Sequence, residues 1–204
     1  MRARTVGLLS LALSGWTLIV AGCAGGSATT RFYVLTPLAG VDGSDAAPKA
    51  KTSLAVGVHR VALPDYLDRP QIVTRLGPSL LAFGEFDRWA SPLANEFRRV
   101  LGENLRAMIP SDQVVIFPWP QTSQVDYEVS VDVAEFEGRL GGSCSLVARW
   151  SIYGPERRAV LTAGSSSLSE PTKGGDYEAI AAAQSRLIDT LSREIAGALR
   201  AVAR

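Results

Sequence analysis

The sequence predicts an α+β domain, a mixed and largely antiparallel sheet with two long amphipathic helices packed on one face. Two observations carry this reading. Several runs alternate apolar and polar residues with period two, which is the pattern of half-buried strands. Two other segments, one mid-chain and one at the end, repeat apolar residues every three or four positions instead, and strands in runs with two such helices form a two-layer α+β domain.

The chain opens on a different kind of segment. Arg2 and Arg4 precede an apolar run from Val6 to Val20, the layout of an export signal. That run is shorter than the roughly 20 apolar residues a membrane helix needs, and Ser10, Ser14, Gly15 and Thr17 dilute it. Val20-Ala21-Gly22-Cys23 resembles a lipobox, with cleavage between Gly22 and Cys23 and diacylglycerol on the cysteine thiol. Residues 1–22 are therefore expected to be a lipoprotein signal peptide, 23–30 a lipidated cysteine with a flexible tether, and 31–204 a single periplasm-facing domain. Stable anchoring needs more than one acyl chain, so Cys23 is expected to carry an acyl group such as palmitate besides diacylglycerol.

Without residues 1–22 the chain has 182 residues, with 19 basic against 20 acidic side chains. That balance argues against nucleic acid, which calls for a clustered basic face. Cys144 is then the remaining cysteine, so no intramolecular disulfide is expected and stability must come from packing.

Along the domain, Arg31 to Thr36 reads as a short strand stopped by Pro37, and Leu38 to Thr52 as a flexible stretch. Leu54, Val56 and Val58 alternate, then shift at Val61, a strand with an irregular end. Gln71 to Arg75 and Ser79 to Phe83 flank Leu76-Gly77-Pro78 as a hairpin. Ser91-Pro92 opens a helix whose apolar face is Leu93, Phe97, Val100, Leu101, Leu105 and Met108, the serine being placed to cap it. Gly102 inside that helix costs about 1 kcal/mol relative to alanine unless close packing requires it.

Val114 to Phe117 is a short β-branched and aromatic run before Pro118-Trp119-Pro120. Val125, Tyr127, Val129, Val131 and Val133 form the clearest strand, and the changed parity of Phe136 predicts a bulge near Ala134. Gly138 to Gly142 turns into an antiparallel partner with Cys144, Leu146, Ala148, Trp150 and Ile152 as its apolar set. Gly154-Pro155 turns again into a strand from about Arg158 to Leu168. A helix from Asp176 to about Val202 closes the chain, with Ile180, Ala183, Leu187, Leu191, Ile195, Leu199 and Val202 on one stripe.

Little in this chain suggests reaction chemistry. His59, the single histidine, has no sequence-near ligands for a metal and no Gly-x-Ser-x-Gly elbow to serve as base. No catalytic residue, metal or cofactor is expected. Glu135 and Glu137 share a strand face and read as solvated surface; Cys144 reads as a buried, inert thiol. Gly138 to Gly142 is a turn, and Gly174-Gly175 before a helix is followed by Asp176 and Glu178, which would repel an anion. Trp119 between two prolines either caps a sheet edge or offers a rigid aromatic to a partner.

Four stretches resemble one family: Tyr33 to Pro37, Val56 to Arg75, Asp87 to Leu93 with Trp89 inside it, and Val100 to Leu105. The chain resembles the ABC-type transport auxiliary lipoprotein family, the PqiC-like proteins, over essentially the whole mature length. Its longest motif is Leu63-Pro64-Asp65-Tyr66-Leu67-Asp68-Arg69-Pro70. The two prolines would hold a kinked excursion between strands, with Tyr66 and Leu67 as anchors and Asp68 and Arg69 as charges at a turn. Both a structural corner and a partner contact through Pro64, Tyr66, Leu67, Asp68, Arg69, Trp89 and Trp119 are open.

The resemblance implies a non-catalytic lipoprotein of the outer membrane, facing the periplasm. Its partners would be an MCE-domain (mammalian cell entry) transport protein, the associated inner-membrane components, phospholipid and further copies of itself. Ala24 after Cys23 is compatible with outer-membrane sorting. The alternative is an outer-membrane lipoprotein that activates a cell-wall synthase or an envelope assembly machine.

Overall fold

A computed structural model describes residues 29–37, 52–109, 111–120 and 123–203. The segment expected to be a signal peptide, with Gly22 and Cys23, and most of residues 24–30 and 38–52, expected to be flexible, lie outside the described residues. In chain order the elements are β1 (Arg31–Tyr33), β2 (Thr52–Ala62), β3 (Gln71–Gly77), β4 (Leu80–Trp89), α1 (Leu93–Met108), β5 (Ser111–Ile116), β6 (Tyr127–Gly138), β7 (Ser143–Tyr153), β8 (Val160–Pro171) and α2 (Tyr177–Val202). The expected α+β architecture is the one observed.

β6 organises the sheet. Its valines 129, 131 and 133 are buried, while Asp132 on the other face reaches solvent. The pairing with β7 shifts register between Val133 and Glu135, the predicted bulge, and this returns Phe136 and Gly138 to the buried side. β7 runs antiparallel along one edge of β6, and β8 pairs antiparallel with β7. The other edge of β6 is divided. β2 pairs parallel with its first half, from Val56↔Tyr127 to Ala62↔Asp132, and β3 meets it only at Thr74↔Gly138. Between those two contacts the chain leaves the sheet as the 63–70 excursion. β5 extends β2 in parallel, while the β3–β4 hairpin and the short parallel strand β1 extend the sheet beyond β3.

Both helices cover the same face. α1 lies over β2 and β5, and α2 over β6, β7 and β8. At Gly102 α1 packs tightly on β5: a Cβ there would stand 2.9 Å from two carbons of Ile116. Close packing thus answers the helix-propensity cost of that glycine. Phe97 and Phe136 meet edge to face at 5.1 Å between centroids, and Leu101, Leu105, Leu187, Leu191 and Ile195 fill the layer around them. The helices are joined by a buried hydrogen bond from Asn104 Nδ2 to Ser192 Oγ at 3.3 Å.

Two local expectations change. Ser91 does not cap α1: Pro92 occupies that position, and the Ser91 hydroxyl donates to Glu96 Oε1 at 2.8 Å. The acceptor wins because Glu96 is held buried between Ser91 and Arg99. β1 ends at Tyr33, before Thr36, because the chain then turns toward the helices. There the Leu35 carbonyl accepts from Arg99 at 2.6 Å and the Thr36 amide donates to Ser185 Oγ at 3.0 Å. α2 begins as expected, Asp176 Oδ1 accepting the Ala179 amide hydrogen at 2.9 Å.

Candidate functional site

The face of the sheet opposite the helices carries the residues that the helical layer does not explain. The missing neighbour along β6 leaves backbone and side-chain groups to be satisfied locally, and the 63–70 excursion does this. It is a pair of turns, with the Leu67 amide donating to the Pro64 carbonyl at 2.9 Å and the Asp68 amide to Asp65 at 3.2 Å. Leu67 is buried, and Tyr66 Oη donates to Glu137 Oε2 at 3.0 Å. The Arg69 guanidinium stacks on Phe83 of β4 with 4.1 Å to the ring centroid.

Glu137 is the centre of this arrangement and corrects the expectation of a solvated carboxylate. It is 1% exposed. Arg75 of β3 pairs with it through two nitrogens, Nε at 2.9 Å from Oε1 and Nη2 at the same oxygen, and the Phe136 amide donates to Oε2 at 2.9 Å. A buried carboxylate is tolerated only when so fully bonded. Glu135, two residues earlier and next to the bulge, is half-buried. Burial first, then the Glu137 charge and hydrogen bond, pushes the Tyr66 phenol up to about 12. The hydrogen bond to Glu137 likewise holds the Arg75 guanidinium above its ordinary value.

Beside the excursion lies an aromatic cluster built from β2 and the segment after β5. His59 packs on Phe117 at 4.8 Å and on Trp119 at 6.0 Å, and Phe117 meets Trp119 at 5.7 Å. Trp119 lies over Gly57, where a Cβ would come within 2.8 Å of the indole, so the glycine makes room for the ring. Of the two readings for Trp119, the observed place is a half-buried ring on the open face beside the β5 edge. Burial, then the Arg157 charge, lowers the His59 pKa, which favours the neutral imidazole.

The excursion and the aromatic segment meet the first half of α1, through Ala94, Asn95 and Arg98, in a cleft of about 420 Å³. Its walls include Val61, Leu63, Phe117 and Pro118, and its charges are Arg60, Arg98 and Asp68. Arg98 comes from α1, and its Nε is buried with no hydrogen-bond partner among the described residues. Burial, then the nearby Arg60, lowers the pKa of Arg98, a sign of two cations converging. Asp68 is exposed. An apolar wall with two guanidinium groups and a carboxylate suits recognition of a polar partner more than bond breaking.

Of the residues singled out from sequence, Leu67 and Trp89 are buried and support the fold, Pro64, Tyr66, Arg69 and Trp119 are half-buried, and Asp68 is exposed. The structure gathers Asp68 beside Pro118, next to Trp119, while Trp89 lies apart at the end of β4. Sequence reasoning missed Arg60, Arg98 and Glu137. Arg60 and Arg75 stand inside the family-like stretch and were a signal; Arg98 sits among other helix charges, with nothing to mark it. Among the described residues no group of three or more His, Cys, Asp or Glu could hold a metal. Burial raises the Cys144 thiol to about 12, so it stays protonated. Among the described residues no helix is long and apolar enough to cross a membrane.

The chain is 29% identical over 135 residues to the intermembrane transport lipoprotein PqiC of Escherichia coli K12, covering 66% of this chain and 69% of that protein. The PqiC of Shigella flexneri matches equally. Two crystal structures share the fold. One, of an uncharacterized protein, has a TM-score of 0.68 at 21% identity and covers 84% of this chain and 99% of its own. The other, protein XCC0632 of Xanthomonas campestris, has a TM-score of 0.66 at 19% identity and covers 86% and 97%. Residues 33–196 match the family described as the ABC-type transport auxiliary lipoprotein component. That match runs from the last residue of β1 deep into α2, and the chain therefore belongs to this family of PqiC-like auxiliary transport lipoproteins.

Proposed function

We propose that this chain is the non-catalytic outer-membrane subunit of an MCE-type intermembrane phospholipid transport system, anchored through Cys23 and docking the assembly from the periplasmic side. The family match across the folded domain carries this reading, since it makes the chain an auxiliary lipoprotein of transport. The cleft between the excursion and the Pro118-Trp119-Pro120 segment supports it. Arg60, Arg98 and Asp68 there, with the half-buried Trp119 beside them, offer a partner charge and a rigid aromatic surface.

The test is capture of the lipidated protein from gentle detergent extracts, with the bound proteins identified. An MCE-domain protein should co-purify, and an Arg98→Glu variant that folds normally should lose it. Repeated capture without any MCE component would exclude the reading. A Cys23→Ser variant should keep its fold and lose envelope function, because a soluble copy is no longer held at the membrane.

A further inference from the structure

We propose that the tip of the β3–β4 hairpin, together with the β6–β7 turn, is a membrane-contacting end of the domain that rests in the bilayer holding the Cys23 anchor. This deepens the anchored reading above and rests on it.

The tip is apolar where a solvated hairpin would be polar. Leu76 and Leu80, on either side of Gly77-Pro78-Ser79, are 58% and 59% exposed, and Phe86 farther along β4 is 38% exposed, while Phe83, 46% exposed, carries the Arg69 guanidinium on its ring. Exposed apolar side chains grouped in one place mark an interaction surface. The β6–β7 turn stands at the same end. β3 and β6 run parallel with Thr74 opposite Gly138, the last residue of β6, so the turn that carries Leu140, itself 43% exposed, follows at the same end as Leu76.

The direction of the chain identifies what covers this end. β1 is parallel to β4, with Arg31 opposite Asp87 and Tyr33 opposite Trp89. β4 starts at the hairpin tip, so a chain entering β1 comes from the tip side. The segment 23–30 that joins the anchor to β1 is eight residues long. Fully extended it spans at most about 29 Å, close to the length of a ten-residue strand such as β4. β1 lies beside the far end of β4, at Asp87 to Trp89, so a segment of this length leaving β1 toward the tip just reaches it, and the bilayer that accepts the acyl chains of Cys23 is then the apolar medium within reach of Leu76, Leu80 and Leu140. Val160 and Leu161, 55% and 45% exposed, stand where β7 turns into β8 at the opposite end of the sheet and are the apolar comparison on the side away from which the chain enters β1.

The test uses the full lipidated protein in vesicles of phosphatidylethanolamine and phosphatidylglycerol. Leu80→Cys, Leu140→Cys and Val160→Cys are labelled singly with an environment-sensitive dye; Cys144 is buried and Cys23 acylated, so the new thiol takes the label. Positions 80 and 140 should show blue-shifted emission and loss of intensity with spin-labelled lipids, and position 160 neither. In detergent-free buffer after removal of the anchor, the shift at position 80 should disappear. Protein that floats with the vesicles while position 80 stays in water overturns the proposal and leaves the anchor intact. Protein that does not float overturns both. A shift at position 80 that persists without vesicles means that another copy covers the tip, which also overturns it.

Discussion

The two faces of the sheet are stabilised by different means. On the helical face, apolar side chains at regular spacing bury against one another, and Phe97, Leu101, Leu187 and Leu191 have no exposure at all. On the open face, stability comes from a few polar groups brought together from distant segments, with Tyr66, Arg75 and Glu137 supplying one connected set. The helical layer tolerates redistribution of contacts because dispersion and burial are non-directional, whereas the open face depends on each partner being present.

That contrast sets an order of effects. Phe97→Ala removes a fully buried ring packed on Phe136 and should cost roughly 3–5 kcal/mol in denaturant unfolding. A loss near that of an exposed substitution would show that the helical layer is looser than its burial implies. Glu137→Gln removes a buried charge and leaves Arg75 without its counter-ion; about 2–3 kcal/mol is expected, below the usual range for a broken buried pair because Arg75 reaches solvent. The same variant should increase proteolytic cutting within residues 63–70 while leaving far-ultraviolet dichroism unchanged. Equal cutting in both proteins would mean that the excursion is held without Glu137.

Tyr66→Phe, the smallest change, should cost about 1 kcal/mol, the net worth of one hydrogen bond. It also sharpens the pH behaviour. Tyr66 and Tyr33 both stand at about 12, from an ordinary 10.0, through burial first and then the neighbouring Glu137 and Asp87 respectively. The folded chain therefore keeps protons that the unfolded chain releases. Their contribution is complete below pH 10 and fades as pH rises toward 12. Melting temperature should fall across that window, and less steeply in Tyr66→Phe; an identical slope would place the alkaline sensitivity elsewhere.

Much of the helical layer was legible in sequence because helix and strand periodicities depend on residues near one another in the chain. The stripe from Ile180 to Leu199 is buried throughout, and the parity change at Phe136 located the bulge between Val133 and Glu135. Capping at Ser91 was misread because its hydroxyl had a second acceptor, Glu96, five positions on. Glu137 was misread for a larger reason. Strand alternation says which face a carboxylate takes, and here that face is covered by a loop arriving from residues 63–70.

By itself, then, the sequence determined the fold class, the bulge, the two helical stripes and the motif that places this chain in its family, since each is written in neighbouring residues. Tertiary structure alone decided that Arg75 and Tyr66 bury Glu137, that Arg60 and Arg98 converge beside Asp68, and that the hairpin tip lies at the end from which the chain enters β1. These depend on parallel pairings between distant strands, and the register of such pairs is set by the packing of the whole sheet.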